Sequence, residues 1–152
     1  MARPKSRMQT AALGGTPDEV ETAFYDAMRD GSLERMMQIW ADEDDIVCIH
    51  PGGPRLRGAA AIRAGFDTMF ADGASVNVKL SSVHRVESLA SAVHHVLETI
   101  EVMTEQGVVQ AYVLATNVYH KTPQGWRLVV HHASPGTQRE AQEVSDAPKL
   151  FH

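Results

Sequence analysis

Apolar residues in the first half of the chain recur every three to four positions, which is the period of a helix with one buried face. This pattern predicts three helices, over residues 16–31, 32–44 and 58–73. The first has the clearest start, because Thr16 can cap it, Pro17 suits its first turn and Glu19 completes a capping box. A short apolar strand, residues 46–49, follows the second helix and ends at His50.

From about Val76 the period changes from 3.6 to 2, the alternation of strands that bury one face. Four long strands are predicted, separated by turn-forming residues at 88–90, 105–107 and 122–125. Tight connections make these strands an antiparallel meander, and helices gathered on one face of it make an α+β layer. The sequence therefore predicts an α+β fold, with three N-terminal helices packed on a curved, mostly antiparallel sheet of one short and four long strands. We expect an N-terminal arm, a folded domain and a polar C-terminal tail, over residues 1–15, 16–135 and 136–152.

Composition narrows the class of protein. A length of 152 residues fits one domain, and a net charge of −5 argues against nucleic acid as the main partner. The single cysteine, Cys48, lies in an apolar run and is expected to be a buried core residue. No apolar stretch approaches the ~20 residues of a membrane span, and the first residues lack the apolar segment of a secretory signal. We therefore expect a cytoplasmic protein with no membrane partner.

Two longer stretches carry a family resemblance, "WADEDDIVCIHPGGPRLRGAAAIRAGF" and "ATNVYHKTPQGWRLVVHHASP". With the order of elements, they resemble the nuclear transport factor 2-like superfamily, which includes ketosteroid isomerases and polyketide-cyclase-like (SnoaL-like) proteins. The resemblance covers about residues 17–135 and implies a cone-shaped apolar pocket between helices and sheet, in a homodimer packed through the sheet. The residues expected to line that pocket are Phe24, Tyr25, Trp40, Phe66, Met69, Phe70, Val113, Tyr119, Val130 and Ser134.

The resemblance also implies catalytic residues. In ketosteroid isomerases a catalytic aspartate ends the strand after the second helix, directly before a Pro-x-Gly turn; here His50 precedes Pro51-Gly52-Gly53. A neutral imidazole accepts protons near neutral pH, so His50 looks like the general base. Asn117 occupies the position of a protonated aspartate, and its amide is a permanent hydrogen-bond donor. From the residues alone, His50 equally fits a strand-end histidine bonded to a turn carbonyl, and Asn117 a backbone or dimer contact.

The sequence departs from the isomerases at a tyrosine of the first helix. Counting back from Gly31 places Phe24 at that position, and Phe24 has no hydroxyl. Tyr25 is one residue away, which on a helix is a change of direction of about 100°. The resemblance therefore implies a generic acid–base site rather than a steroid isomerase.

Alternation makes His131 and His132 face opposite sides of the last strand. The family register implies that Trp126, Val130, His132 and Ser134 face inward with Asn117, so His132 is the third candidate catalytic residue and His131 faces outward. The hairpin at 105–107 decides its neighbours: a two- or four-residue loop turns His94, Val96 and Glu98 inward, and a three-residue loop turns His95 and Thr99 inward. A metal site formed by His50, His132 and Glu98 is the alternative to our expectation of no metal and no cofactor. The remaining histidines, His84, His120 and His152, are expected to be solvated.

Two functions are open at this stage. The first is isomerase, cyclase or dehydratase-like acid–base chemistry on an apolar, carbonyl-bearing small molecule, with His50, Asn117 and His132 converging in the pocket. The second is a non-catalytic ligand-binding or dimerisation domain, in which the protein itself satisfies every polar group of the pocket.

Overall fold

The first helix, α1 (Pro17–Asp30), begins and ends where the sequence predicts. The Thr16 hydroxyl accepts a hydrogen bond from the Glu19 backbone N–H at 3.1 Å, which satisfies one of the free donors of the first turn. Gly31 ends the helix with a φ of 61°, a left-handed conformation that costs glycine least. This computed structural model describes residues 14–71 and 77–146, without the side chains of 102–104. Most of the predicted arm, the predicted helix end at Gly73, the start of the sheet at Val76 and His152 lie outside the described residues.

Two further helices complete the helical layer. The second, α2 (Leu33–Ile39), is capped by Ser32, whose hydroxyl accepts from the Arg35 backbone N–H at 3.3 Å. The third, α3 (Ala59–Ala71), buries Ile62 and Phe66. Both helices lie where the apolar pattern predicts them, and α2 is several residues shorter than expected.

The sheet has six strands, one more than the sequence predicts. Their order across the sheet is β2-β1-β6-β5-β4-β3; β1 and β6 run parallel, and the other neighbouring strands within residues 14–71 and 77–146 are antiparallel. The strands are β1 (Val47–Ile49), β2 (Arg55–Arg57), β3 (Val78–Glu87), β4 (Ser91–Thr104), β5 (Gly107–Thr122) and β6 (Gly125–Gly136). The additional strand, β2, pairs with β1 around the predicted Pro-Gly turn, and its three residues are too few and too polar to show a period of their own.

The register of β6 shifts near its middle. Leu128 pairs with Tyr119, and Val130 pairs with Val118, so Val129 is an extra residue on β6. Such a bulge reverses which residues face each side of the sheet. Before the bulge, the even-numbered Leu128 faces the helices, and after it the odd-numbered His131 does.

The core lies between the helices and the inner face of the sheet, by which we mean the face covered by α1 and α3. Its largest fully buried apolar side chains are Tyr119, Phe24, Phe66, Met36, Ile39, Ile46, Ile62 and Leu128. The C-terminal segment after β6 returns to the sheet edge, where Glu143 lies 2.6 Å from His84 of β3. Within the parts of the chain that the structure describes, no helix is both long and apolar enough to cross a bilayer.

Candidate functional site

A row of polar side chains crosses the inner face of the sheet. His94 on β4 pairs with Asn117 on β5, and Asn117 pairs with His131 on β6. Cys48 on the parallel strand β1 continues this row beside His131. The two histidines and the asparagine, which we call the inner row, are at most 2% exposed. Buried polar groups of this kind need partners within the protein.

A chain of hydrogen bonds links the inner row to a buried carboxyl group. The His131 Nδ1 lies 2.5 Å from the Asn117 Oδ1, the Asn117 Nδ2 donates to the Tyr25 hydroxyl at 3.1 Å, and that hydroxyl donates to Glu98 Oε2 at 2.6 Å. Because an amide oxygen only accepts, His131 must carry its proton on Nδ1. Every bond in this chain therefore points toward Glu98, and we call the four residues the buried chain.

Tyr25 is in the buried chain because of the direction of α1. Tyr25 and Phe24 are both buried, with ring centroids 4.9 Å apart and their planes nearly perpendicular. Tyr25 therefore faces the interior although it points about 100° away from Phe24 around the helix, because α1 presents two adjacent positions to the sheet. Phe24 instead packs against His131, with ring centroids 4.8 Å apart.

Burial changes the ionisation of the buried chain. It raises the pKa of Glu98 to about 7, an effect that the hydrogen bond from Tyr25 partly offsets. It also lowers the pKa of His131 to about 3, helped by the nearby His50 and His132. Burial and the neighbouring Glu98 raise the pKa of Tyr25. Neutral forms are thus favoured throughout the chain, as expected where no countercharge is close.

His50 follows β1 and lies beside the end of this chain. Residues two apart on a strand share a face, so His50 and the fully buried Cys48 both turn toward the interior. The His50 Nε2 is 3.7 Å from the Cys48 Sγ, and its ring meets the edge of Phe66 at a centroid distance of 4.8 Å. Its ring centroid is 6.3 Å from that of His131. His50 is half-buried, and burial lowers its pKa, which keeps the imidazole neutral and able to accept a proton.

Gly65 of α3 gives the helix a close approach to His50. A side chain carbon at this position would lie 2.6 Å from the Leu56 Cδ1 and 3.7 Å from the His50 Nε2. The absence of a side chain therefore leaves room beside the imidazole, in a helix interior where glycine is otherwise unfavourable.

The bulge at Val129 corrects the predicted orientation of β6. His132 and Ser134 are exposed on the outer face, which is the side of the sheet opposite the helices, and Val130 is only half-buried. His131 occupies the inward position expected for His132. The alternative metal set of His50, His132 and Glu98 is not brought together, because His132 is on the other side of the sheet.

The hairpin between β4 and β5 has the two-residue loop Glu105-Gln106, since Thr104 pairs with Gly107. This is the alternative that turns Glu98 inward, and His95 is exposed on the outer face. His84 and His120 are exposed, as expected.

The predicted pocket walls are closely packed. Phe24, Phe66, Tyr119 and Asn117 have no accessible surface, so none of them borders a space that holds a water molecule. Trp40 and Val113 are at most 5% exposed, whereas Met69 and Phe70 at the end of α3 are half-buried. In this structure the open pocket that the resemblance implies around Phe24, Phe66 and Tyr119 is thus filled by side chains. A groove of about 520 Å³ lies elsewhere, between α1 and α2, and is lined by residues that include Asp26, Arg35 and Gln38.

A second polar cluster meets the inner row at His94. The His94 Nδ1 lies 2.8 Å from the Glu21 Oε2 of α1. Asp18, one turn earlier on the helix, pairs with Arg85 of β3 at 2.9 Å. Sequence reasoning did not find Glu21 or His131 as site residues. A carboxylate on the apolar stripe of α1 is the one sequence signal that could have indicated the cluster.

Comparison with known proteins identifies the family. Residues 18–138 match the model of the SnoaL-like domain, and the chain therefore belongs to this family within the nuclear transport factor 2-like superfamily. No match is found among the curated proteins.

Solved structures show the same fold. One is a Thiobacillus denitrificans protein provisionally named as a calcium/calmodulin-dependent protein kinase type II association domain, with 38% identity and a TM-score of 0.73, covering 80% of this chain and 96% of its own. Another is a Streptomyces avermitilis protein of the NTF2-like family provisionally named a dehydratase, with 28% identity and a TM-score of 0.69, covering 88% and 98%. A kinase type II hub from S. rosetta is 20% identical with a TM-score of 0.63, covering 78% and 92%, and supports the fold alone.

Proposed function

We propose that this chain binds an apolar, carbonyl-bearing small molecule and transfers a proton within it, as an isomerase, cyclase or dehydratase does. The observation that carries the proposal is His50, a half-buried neutral imidazole at the edge of the core. Its ring packs against the buried Phe66. Perturbed ionisation gathers at catalytic sites more often than elsewhere, and here three such groups, Glu98, His131 and His50, lie along one path.

In this proposal His50 accepts the proton from a carbon next to the substrate carbonyl. Cys48 stays a thiol, because burial raises its pKa to about 12. Its Sγ lies 3.7 Å from the His50 Nε2 and helps to orient the ring. Leu56 and His50 both lie beside Gly65, and the half-buried Phe70 packs against Phe66, so apolar side chains surround the imidazole. His131 and Asn117 are positioning residues. The His131 ring and the Asn117 amide are hydrogen-bonded to each other in the interior and fix the surroundings of His50.

The experiment measures hydrogen–deuterium exchange next to the carbonyl in a panel of apolar cyclic ketones, by NMR in D₂O. The wild-type protein is expected to accelerate exchange in at least one ketone, and His50→Gln to reduce that rate ~100-fold or more, as is typical for loss of a general base. His132→Gln is the matched control, since His132 is exposed on the outer face and should leave the rate unchanged. A His50→Gln protein that folds as stably as wild type and keeps the rate would contradict the proposal.

A second function has its own support, which is assembly through the outer face without catalysis. On that face Leu97 pairs with Leu114, and Val118 lies between Val93 and Val130, so apolar rows remain half-buried in the single chain. The buried chain also satisfies its own polar groups, as a scaffold requires. The similar Thiobacillus denitrificans protein is provisionally named an association domain, which favours assembly.

Light scattering after gel filtration distinguishes the assembly function. We expect a homodimer that Val118→Arg converts to a monomer, because a charge cannot be buried there without a partner. Glu101→Gln, a change at an exposed residue of β4, should leave the mass unchanged. A monomeric wild-type protein would contradict assembly through the sheet, and a dimer with no ketone exchange would favour assembly over catalysis.

A further inference from the structure

The cluster at the start of α1 contains a buried nitrogen that lacks a partner. The His94 Nε2 has no hydrogen bond among the residues that the structure describes, although the His94 side chain is 0% exposed. The other ring nitrogen, Nδ1, is bonded to the Glu21 carboxylate at 2.8 Å. Since a carboxylate only accepts, Nδ1 carries the proton in the neutral ring and Nε2 has a free lone pair.

Two further carboxylates face that lone pair. The Asp18 Oδ1 is 3.8 Å from the His94 Nε2, and the Glu87 Oε1 of β3 is 3.7 Å from it. Both distances exceed a hydrogen bond, and a lone pair opposite negative oxygens is unfavourable without a cation between them. One ligand atom each from Asp18, Glu21 and His94 also lie within 4.8 Å of one another.

His94 has the hydrogen-bonded carboxylate on its other ring nitrogen that metal-binding histidines usually have. A ligating imidazole commonly donates its other N–H to a carboxylate, which fixes the tautomer and the direction of the ring. Glu21, which is 6% exposed, holds the Nδ1–H in this way and aims Nε2 at Asp18 and Glu87. Tyr119 packs against the same ring, with centroids 4.9 Å apart, and blocks rotation of the imidazole.

We propose that His94 and Asp18, supported by Glu21 and joined on binding by the half-exposed Glu87 side chain, form a binding site for one divalent transition-metal ion of the Zn²⁺ type. A tetrahedral ion at ~2.1 Å from its nitrogen and oxygen ligands separates those ligands by roughly 3.4 Å. The Asp18 and Glu87 oxygens lie at similar distances, 3.8 and 3.7 Å, from the His94 Nε2. Imidazole and carboxylate ligands together suit zinc better than calcium or magnesium. Asp18 and Glu87 have half-exposed side chains, which gives the ion a route from solvent.

Arg85 is the competitor within the structure. Its Nε lies 2.9 Å from the Asp18 Oδ1, and Asp18, Glu21 and Glu87 all raise the pKa of the arginine. A metal ion must therefore displace this guanidinium from Asp18. Because Arg85 competes with the ion for Asp18, we expect Arg85→Gln to bind the ion more tightly than the wild-type protein does.

The test titrates EDTA-treated protein with Zn²⁺ by calorimetry and with Co²⁺ by visible absorption, which reports the ligand geometry. We expect one saturable ion per chain, binding at least ~10-fold weaker in His94→Gln and in Asp18→Asn, and ~10-fold tighter in Arg85→Gln. Asp18 is exposed, so Asp18→Asn keeps the test valid even where His94→Gln fails to fold. The matched control is His95→Gln, because His95 is the next residue and faces the other side of the sheet.

Several results would overturn the proposal. These are no saturable binding of either ion, equal weakening in His95→Gln, or unchanged binding in Asp18→Asn. A loss of stability in Arg85→Gln with no gain in affinity would show that the cluster is only a salt-bridge network. The titration does not depend on ketone exchange at His50, so the two proposals fail separately.

Discussion

Replacing Glu98 by glutamine tests the electrostatics of the buried chain directly. Glu98 is 3% exposed, and its side chain pairs with no basic side chain among the residues that the structure describes. Its carboxyl group accepts a hydrogen bond from the Tyr25 hydroxyl at 2.6 Å. Glutamine has nearly the same shape and keeps an oxygen that can accept from Tyr25, but it cannot ionise.

The magnitude follows from the pKa of Glu98, which burial raises from 4.5 to about 7. Folding therefore favours the protonated carboxyl group, and this contribution is fully present below pH 4.5 and is lost as the pH rises through about 7. At ~1.36 kcal/mol per pH unit the full effect is about 3 kcal/mol, and most of it falls between pH 5 and pH 8. Glu98→Gln has no carboxyl group to ionise, so its free energy of unfolding should not fall in this way as the pH rises.

Urea unfolding of both proteins at pH 5 and pH 8 measures the difference. All other titrating groups are shared, so we expect the free energy of unfolding of Glu98→Gln, relative to wild type, to rise by roughly 2–3 kcal/mol from pH 5 to pH 8. Glu101→Gln, an exposed position on the same strand, serves as the control and should show no such change. A relative stability that is the same at both pH values, or that falls at pH 8, would refute the assignment of Glu98 as a desolvated acid.

Two further predictions concern the same chain. Tyr25→Phe should lower the free energy of unfolding by about 2–4 kcal/mol, because Glu98 and the Asn117 amide both lose their partner, whereas Tyr112→Phe, whose hydroxyl bonds the exposed Gln110, should change it by less than ~0.5 kcal/mol. An equal effect of the two substitutions in denaturant titrations would contradict the chain. Burial lowers the pKa of His131 from 6.5 to about 3, so its contribution is present above pH 6.5 and is lost as the pH falls toward 3. Between pH 7.5 and pH 5 the wild-type protein should lose about 2 kcal/mol more than His131→Gln does, and an unchanged acid limb would count against a buried neutral ring.

Local sequence signals determined most of the fold. Thr16, Pro17 and Gly31 mark the ends of α1 because capping and left-handed backbone are local preferences. The alternation over β4 and β5 depends only on the burial of one face, and it located both strands; the inward direction of Asn117 came from the family resemblance. Strand β2 was missed because three residues with two arginines contain no readable period.

The candidate site was predicted less well, because its residues depend on how elements meet. Asn117 lies in the buried chain and His50 beside it, as the family resemblance implied, but the partners differ. The choice between His131 and His132 depends on one extra residue in β6, and nothing local in the sequence marks it. Tyr25 was expected to line the pocket but not to act as the missing donor, because one step along a helix changes direction by about 100°; in the structure Phe24 and Tyr25 are both buried.

The extra residue at Val129 has a practical consequence for comparing this chain with its relatives. A relative that lacks the bulge carries its interior residue one position earlier, counted from the start of β6. An ungapped alignment would then match an interior side chain of one protein with a solvent-facing side chain of the other. Transferring residue roles across β6 thus calls for superposed coordinates, with a one-residue gap at Val129, before any histidine is counted as shared.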